Sequence, residues 1–195
     1  VDGEQLEVIS RLYERHAQAV HRYALRRSDP DTAEEVTAQV FLVAWRRRDA
    51  LPEQPLPWLY GVARRVLAEQ RRGASRRLRL SDRLQREDPG TTVSETEDPG
   101  RTVFGEELEL SDDGLASALG QLSEVDREVL LLRYWEELEP AQVGRAMGCS
   151  RAAVAVRLHR ARARLRRALE EQDGQTHRAQ EDGKGHPCVE RAESA

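Results

Sequence analysis

Lysine is almost missing from this chain: of 31 basic residues in 195, Lys184 alone is not arginine. Cysteine is nearly as scarce, and Cys149 and Cys188 make neither a disulfide framework nor a Cys-x-x-Cys pair. Aromatic residues make up 5% and hydrophobic residues 38%, enough for small helical cores and too little for one large one. No apolar run approaches the ~18 residues of a membrane span, and no signal-peptide pattern is present. Membrane insertion is therefore not expected, and the chain is expected in the cytoplasm. No Ser/His/Asp arrangement, phosphate loop or paired-carboxylate geometry emerges, so the chain is not expected to be an enzyme. His177, His186 and Cys188 are weak ligands without a fourth partner, and neither a metal nor another cofactor is expected.

What is present is charge, 34% of residues, and it is segregated. The net charge of −4 argues at first sight against a nucleic-acid partner. Yet residues 1–80 hold 15 basic and 11 acidic side chains, and residues 115–170 hold 10 and 7. Between them residues 81–114 hold 3 and 11, and residues 171–195 hold 3 and 6. Two mildly basic blocks flank an acidic strip. Arginine's planar fork suits phosphates and guanine edges, although a GC-biased genome would explain the preference equally well.

The stretch from Leu138 to Arg167 is the most informative. Glu139 and Pro140 open a short helix whose Val143, Ala146 and Met147 form an apolar face. Gly148-Cys149-Ser150 breaks it, with glycine allowing a sharp turn and Ser150 suited to cap the next helix. Val154, Leu158, Ala161 and Leu165 then recur at helical spacing as one buried stripe. Arg157, Arg160, Arg164 and Arg167 flank it on one side, Arg162 and Arg166 on the other. That is the layout of a helix-turn-helix whose second helix offers a basic outer face to the major groove. The competing reading is a solvated surface helix, but such a helix normally interleaves acids with its arginines, and none occurs between 151 and 167.

The rest reads as helix as well. Ile9, Leu12, Tyr13, His16, Val20 and Tyr23 trace one amphipathic helix. After Asp29-Pro30-Asp31, Thr32 and Glu35 have capping-box spacing for a second, carrying Val36, Val40, Phe41, Val43, Ala44 and Trp45. A proline-rich loop, 49–57, leads to a third helix opening at Pro57-Trp58, with Leu59, Val62, Ala63, Val66 and Leu67 inward. Residues 81–114 lack periodicity and read as a flexible acidic linker. Helices resume with Leu115, Leu119 and Leu122; Ser123 and Asp126 then cap a helix bearing Val125, Val129, Leu132 and Trp135. The expected fold is all-α: a helical domain over 1–80, the linker over 81–114, a helix-turn-helix domain over 115–170 and a disordered tail over 171–195. A linker this polar sets no geometry between the domains.

Four segments in order carry a resemblance. Thr32 to Trp45 (TAEEVTAQVFLVAW), Trp58 to Arg72 (WLYGVARRVLAEQRR), Leu122 to Arg133 (LSEVDREVLLLR) and Met147 to Arg162 (MGCSRAAVAVRLHRAR) resemble the extracytoplasmic-function (ECF) sigma factors of bacterial RNA polymerase in their two-domain form. The likeness covers roughly residues 5–170.

That resemblance implies a promoter-specificity subunit regulated by an anti-sigma factor, with core RNA polymerase (its β′ clamp and β flap) and promoter DNA as partners. It implies that Glu34, Glu35, Gln39 and Phe41 serve core-polymerase binding. It implies that Arg64, Arg65, Glu69, Arg71, Arg72 and Arg76 serve the minus-ten element, with the loop 49–57 lying where the family holds a flipped base. It implies that Ser150, Arg151, Ala152, Val156, Arg157, Arg160 and Arg162 serve the minus-thirty-five element. The chain departs from the family at Ala38 (glutamine), Gln39 (an acid), Arg65 (often asparagine) and Ala155 (often basic). Trp58 and Trp45 read as core-packing residues rather than stacking platforms. The alternatives are a stand-alone helix-turn-helix regulator independent of core polymerase, and an interaction protein that titrates partners without reading DNA.

Overall fold

The computed structural model describes residues 3–87 and 113–182. Most of the expected linker (88–112) and the end of the tail (183–195, with His186 and Cys188) lie outside the described residues. The described part is helical, with no strand among the described residues, in agreement with the all-α expectation. A first bundle comprises α1 (Gly3–Leu25), α2 (Pro30–Arg46) and α3 (Pro55–Glu87), with a short 3-10 turn at Arg48–Ala50. A second comprises α4 (Asp113–Gln121), α5 (Glu124–Tyr134), α6 (Pro140–Met147) and α7 (Arg151–Asp182). None of the described helices is long and apolar enough to cross a membrane.

Proline chemistry sets the starts of α2 and α3, at Pro30 and Pro55. The cap of α2 is Asp29, whose carboxylate accepts from the Thr32 N–H at 2.9 Å. The Thr32–Glu35 capping box is corrected accordingly: Pro30, with no N–H to satisfy and a helical φ already set, starts the helix three residues earlier. Helix α3 starts at Pro55 rather than Pro57 for the same reason, because first-turn N–H groups have no intrahelical acceptor to lose.

Helix ends outrun the apolar pattern. Helix α3 continues past 80 to Glu87, and α7 continues past 170 to Asp182. The linker expectation of 81–114 and the disordered-tail expectation of 171–195 are corrected at those ends, and α4 already begins at Asp113. Periodicity marks where packing stops; a helix already nucleated adds a backbone hydrogen bond per residue, and in the 81–87 extension of α3 it does so mostly through Arg, Leu, Gln and Glu, which lose little in a helix.

Val20, Ala24, Ala33, Val36, Val40, Ala44, Leu59 and Ala63 are fully buried in the first bundle. Val129, Leu132, Val143, Val154 and Ala161 are fully buried in the second. The two cores join into a single cluster, because the bundles are docked on one another. Helix α6 lies across α3, where Gly61 is buried against Ala146 so tightly that a Cβ at 61 would sit 2.9 Å from the Ala146 carbonyl oxygen. Helix α5 is therefore covered on two sides. Its expected single face is corrected: Val125 and Trp135 are 48% and 37% exposed, while Glu128 and Leu130 are buried.

Charged groups hold the seam between the bundles. The buried Tyr23 hydroxyl donates to Glu128 Oε1 at 2.6 Å, and Arg27 Nε donates to Glu128 Oε2 at 2.9 Å. Arg26 pairs with Glu136 at 2.6 Å, and Arg27 reaches the same carboxylate at 3.5 Å. The Arg27 guanidinium lies 3.6 Å from the centre of the Tyr23 ring, which stacks on Tyr60 at 4.8 Å. Burial works to lower the Arg27 pKa, but Glu128, Tyr23 and Glu136 outweigh it, so the guanidinium stays charged.

Candidate nucleic-acid interface

The turn that orients α7 is set by two residues. Gly148 takes φ 67°, a left-handed conformation glycine adopts without strain, and its N–H donates to Gly144 O. Ser150 Oγ accepts from the Ala153 N–H at 3.2 Å, so the cap expected from sequence is present. The stripe Val154, Leu158 and Ala161 is buried and Leu165 half-buried, which turns the opposite face outward.

On that outward face Arg151, Ala152, Val156 (50% exposed), Arg160 and Arg162 are open. Arg157 is different: half-buried, it directs Nη1 at the Cys149 sulfur, 3.4 Å away, and braces the turn. Arg162 lies 5.3 Å above the ring of Tyr134, an exposed residue the sequence reading passed over. Arg164 pairs with Asp126 and so holds α7 to α5. The tip of the helix combines small apolar groups with guanidiniums and carries no acid, a surface able to meet groove-floor methyls and phosphates together.

The second set, on α3, is split by the docked bundle. Arg65, Glu69, Arg72 and Arg76 are exposed. Arg64 is half-buried and donates to the Met147 carbonyl at 3.4 Å; Arg71 pairs with Glu124 at 3.0 Å. Gln54, in the loop before α3, accepts from Arg145 of α6 at 2.6 Å. Between α3 and the second bundle opens a cleft of about 750 Å³ lined by Arg71, Arg72, Arg76, Arg79 and Arg127. Arg127 turns its own guanidinium onto the Leu119, Gly120 and Leu122 carbonyls and closes the end of α4. Trp58 and Trp45 are half-buried; Trp58 packs on the core, and Arg48 lies 5.1 Å over the Trp45 ring.

A third set lies on α2. Glu34, Glu35 and Gln39 are exposed, and Glu35 accepts from Gln70 of α3 at 3.2 Å. Phe41 is 7% exposed and meets Tyr13 edge-on at 4.8 Å, so it lies beneath this surface and positions it. Leu42 (48% exposed), three residues beyond Gln39 and seven beyond Glu35, adds an apolar element to the same face. Tyr13, 51% exposed on α1, adds another beside Phe41. Single exposed apolar residues are common, and only the pairing with Glu35 and Gln39 could have drawn attention to Leu42 in the sequence.

Comparison with known proteins converges on one family. Residues 12–77 match Sigma-70 region 2, and residues 113–165 match Sigma-70, region 4. The chain is similar to the ECF RNA polymerase sigma factor SigL of Mycobacterium tuberculosis, 32% identical over 164 residues, or 82% of this chain and 88% of that protein. Its fold is similar to that of the sigma factor RpoE in complex with the anti-sigma factor NepR from Bartonella quintana. There the TM-score is 0.54 at 21% identity, covering 83% of this chain and 96% of that one. It is also similar to CnrH in complex with the cytosolic domain of CnrY, with a TM-score of 0.52 at 23% identity, covering 84% and 88%.

Proposed function

The chain belongs to the ECF sigma factors of RNA polymerase, and from that premise we propose how its surfaces divide the work of promoter-specific transcription initiation. The observation that carries the proposal is the outward face of α7, where Arg151, Ala152, Val156 and Arg160 are exposed together with no acid among them. This face enters the major groove of the minus-thirty-five element. Arg160 and Arg151 contact phosphates and guanine edges, Ala152 and Val156 meet the groove floor, Arg162 adds a phosphate contact, Ser150 caps the helix, and Arg157 holds the turn in place.

Helix α3 takes the minus-ten element as unwound strand: Arg64, Arg65, Arg71, Arg72 and Arg76 follow its backbone, with Glu69 beside them and the loop 49–57 receiving an unstacked base. Helix α2 docks on the β′ clamp through Glu34, Glu35 and Gln39, with Leu42 adding apolar contact and Phe41 as support. The second bundle also engages the β flap. The chain works in the cytoplasm and performs no catalysis; the polymerase supplies the chemistry. By analogy with RpoE and its complex with NepR, an anti-sigma factor holds it inactive until needed.

A stand-alone helix-turn-helix regulator accounts for α4–α7 only and leaves the region 2 match over 12–77 without a role. In vitro transcription with purified core enzyme on a library of randomised promoters tests the assignment. Start sites should appear only with the chain added and share two spaced elements; transcripts whose start sites ignore the added chain refute it.

A further inference from the structure

The cleft beside α3 gathers positive charge in excess of the acid around it. Arg72, Arg76 and Arg79 stand at i, i+4 and i+7 on α3, a row spanning about 10 Å on one face of the helix. All three are exposed, line the cleft, and have no acidic partner among the described residues. Arg71 and Arg127 bring two more guanidiniums to the walls, and Glu124, paired with Arg71 at 3.0 Å, is the only acid among the described lining residues. Arg71 keeps its buried Nε–H without an acceptor. Burial lowers the Arg127 pKa; Glu124 opposes the shift and the Arg71 cation adds to it. Cations converging between protein walls repel one another more strongly than on an open helix face, and a bound polyanion relieves that cost.

The kind of polyanion follows from shape and chemistry. A cleft of about 750 Å³ falls within the range of small-molecule sites. Guanidinium forks match pairs of phosphate oxygens. Among the described residues no aromatic ring lines the cleft, so base stacking is not provided and selection falls on the phosphates. A row about 10 Å long suits several linked phosphates better than a single one. Ser75, half-buried beside Arg76, adds a hydroxyl donor.

We infer that this cleft binds a short polyphosphate chain, free or carried by a nucleotide, held by Arg72, Arg76 and Arg79 and faced by Arg127 across the opening. Arg127 contributes charge from the far wall while its N–H groups close the end of α4. Arg79 and Arg127 lie outside the set assigned to the minus-ten strand, so the site extends beyond that path, although the two share Arg72 and Arg76.

The test is calorimetric titration of the full-length chain, acidic strip included, with sodium tripolyphosphate at fixed ionic strength. Saturable binding of about one ion per chain is expected, and the thermal midpoint should rise as ligand is added. Arg79→Gln should weaken binding about ten-fold through the loss of one charge-assisted contact, with helical content unchanged by circular dichroism. Arg77→Gln removes the same charge from an exposed position on the same helix outside the cleft, and should keep the affinity within about two-fold. Orthophosphate should bind far more weakly than tripolyphosphate. Adenosine and guanosine triphosphates separate the sources: affinity equal to tripolyphosphate identifies the phosphate chain alone as the ligand, and higher affinity identifies a nucleotide as its carrier. Absence of saturable binding overturns the inference. So do equal losses in the Arg77 and Arg79 variants, which show a diffuse ion atmosphere rather than a site. Capture of a single-stranded oligonucleotide with no response to tripolyphosphate also overturns it, and leaves the minus-ten assignment standing.

Discussion

The Tyr23 hydroxyl at the end of α1 donates to the Glu128 carboxylate of α5 at 2.6 Å, joining residues 105 positions apart. Tyr23 is fully buried and Glu128 is 8% exposed, so the contact is made without solvent between two bundles that each have an apolar core of their own. Removing one partner of a fully buried charge pair costs about 3–5 kcal/mol. Here undocking limits the loss, because Arg27 can return to water. Glu128→Gln should destabilise the chain by about 2 kcal/mol and Tyr23→Phe by about 1 kcal/mol in urea unfolding. A loss below ~0.5 kcal/mol for Glu128→Gln would mean that the seam contributes nothing to stability.

Alkali should weaken the same contact. Burial, followed by the charge of Glu128, raises the Tyr23 pKa well above its ordinary value; Arg27 opposes the shift and Glu136 adds to it. Tyr60, stacked on Tyr23, is raised by burial and by Glu136. An unfolded tyrosine loses its proton near pH 10, whereas the folded one keeps it. The folded chain thus binds more protons above that pH, and stability falls as pH rises from about 10 toward the folded value. Thermal midpoints at successive alkaline pH values should decline, and Tyr23→Phe should make the decline shallower.

The arginines of α7 should separate by role. Arg160 is exposed, so Arg160→Ala should weaken binding to the minus-thirty-five duplex and erode discrimination by about 1–3 kcal/mol while leaving the melting temperature unchanged. Arg157 braces Cys149, so Arg157→Ala should lower both binding and melting temperature. Equal thermal effects of the two substitutions would contradict this division.

Two backbone positions should respond in opposite directions. Gly148 and Glu137 both have positive φ, 67° and 55°. A side chain in that region costs about 1–2 kcal/mol, so Gly148→Ala should destabilise by that order. Glu137→Gly should stabilise by about 0.5–1 kcal/mol, because glycine removes the strain and returns part of the gain as entropy of the unfolded chain. Denaturant midpoints check both signs.

Much of the interface was legible because its signals are local. The stripe from Val154 to Leu165 lies on one helix, so its spacing alone tells which arginines face outward. Ser150 and Gly148 declare the turn by their own side chains, or by the lack of one. Asp29 was missed although its signal was also local: Pro30 made it the better cap. Periodicity puts Phe41 on the apolar face of its helix, and only the resemblance gives it a part in core-polymerase binding; that Tyr13 meets it edge-on is decided by packing. A single stripe on α5 puts Val125 and Trp135 inward, whereas packing leaves both exposed and buries Glu128 and Leu130 instead.

Helical periods, caps and arginine placement, all readable within a few turns of chain, determined which segments are helices and which face of α7 points outward. The tertiary structure alone decided that the bundles meet, that Arg64 and Arg71 are engaged while Arg65 and Arg72 are open, and that Tyr23 and Glu128 become partners. The reason is physical. A helix is selected by hydrogen bonds and side chains a turn apart, whereas docking is selected by shape and charge complementarity between surfaces separated by about a hundred residues, and such complementarity leaves no periodic trace along the chain.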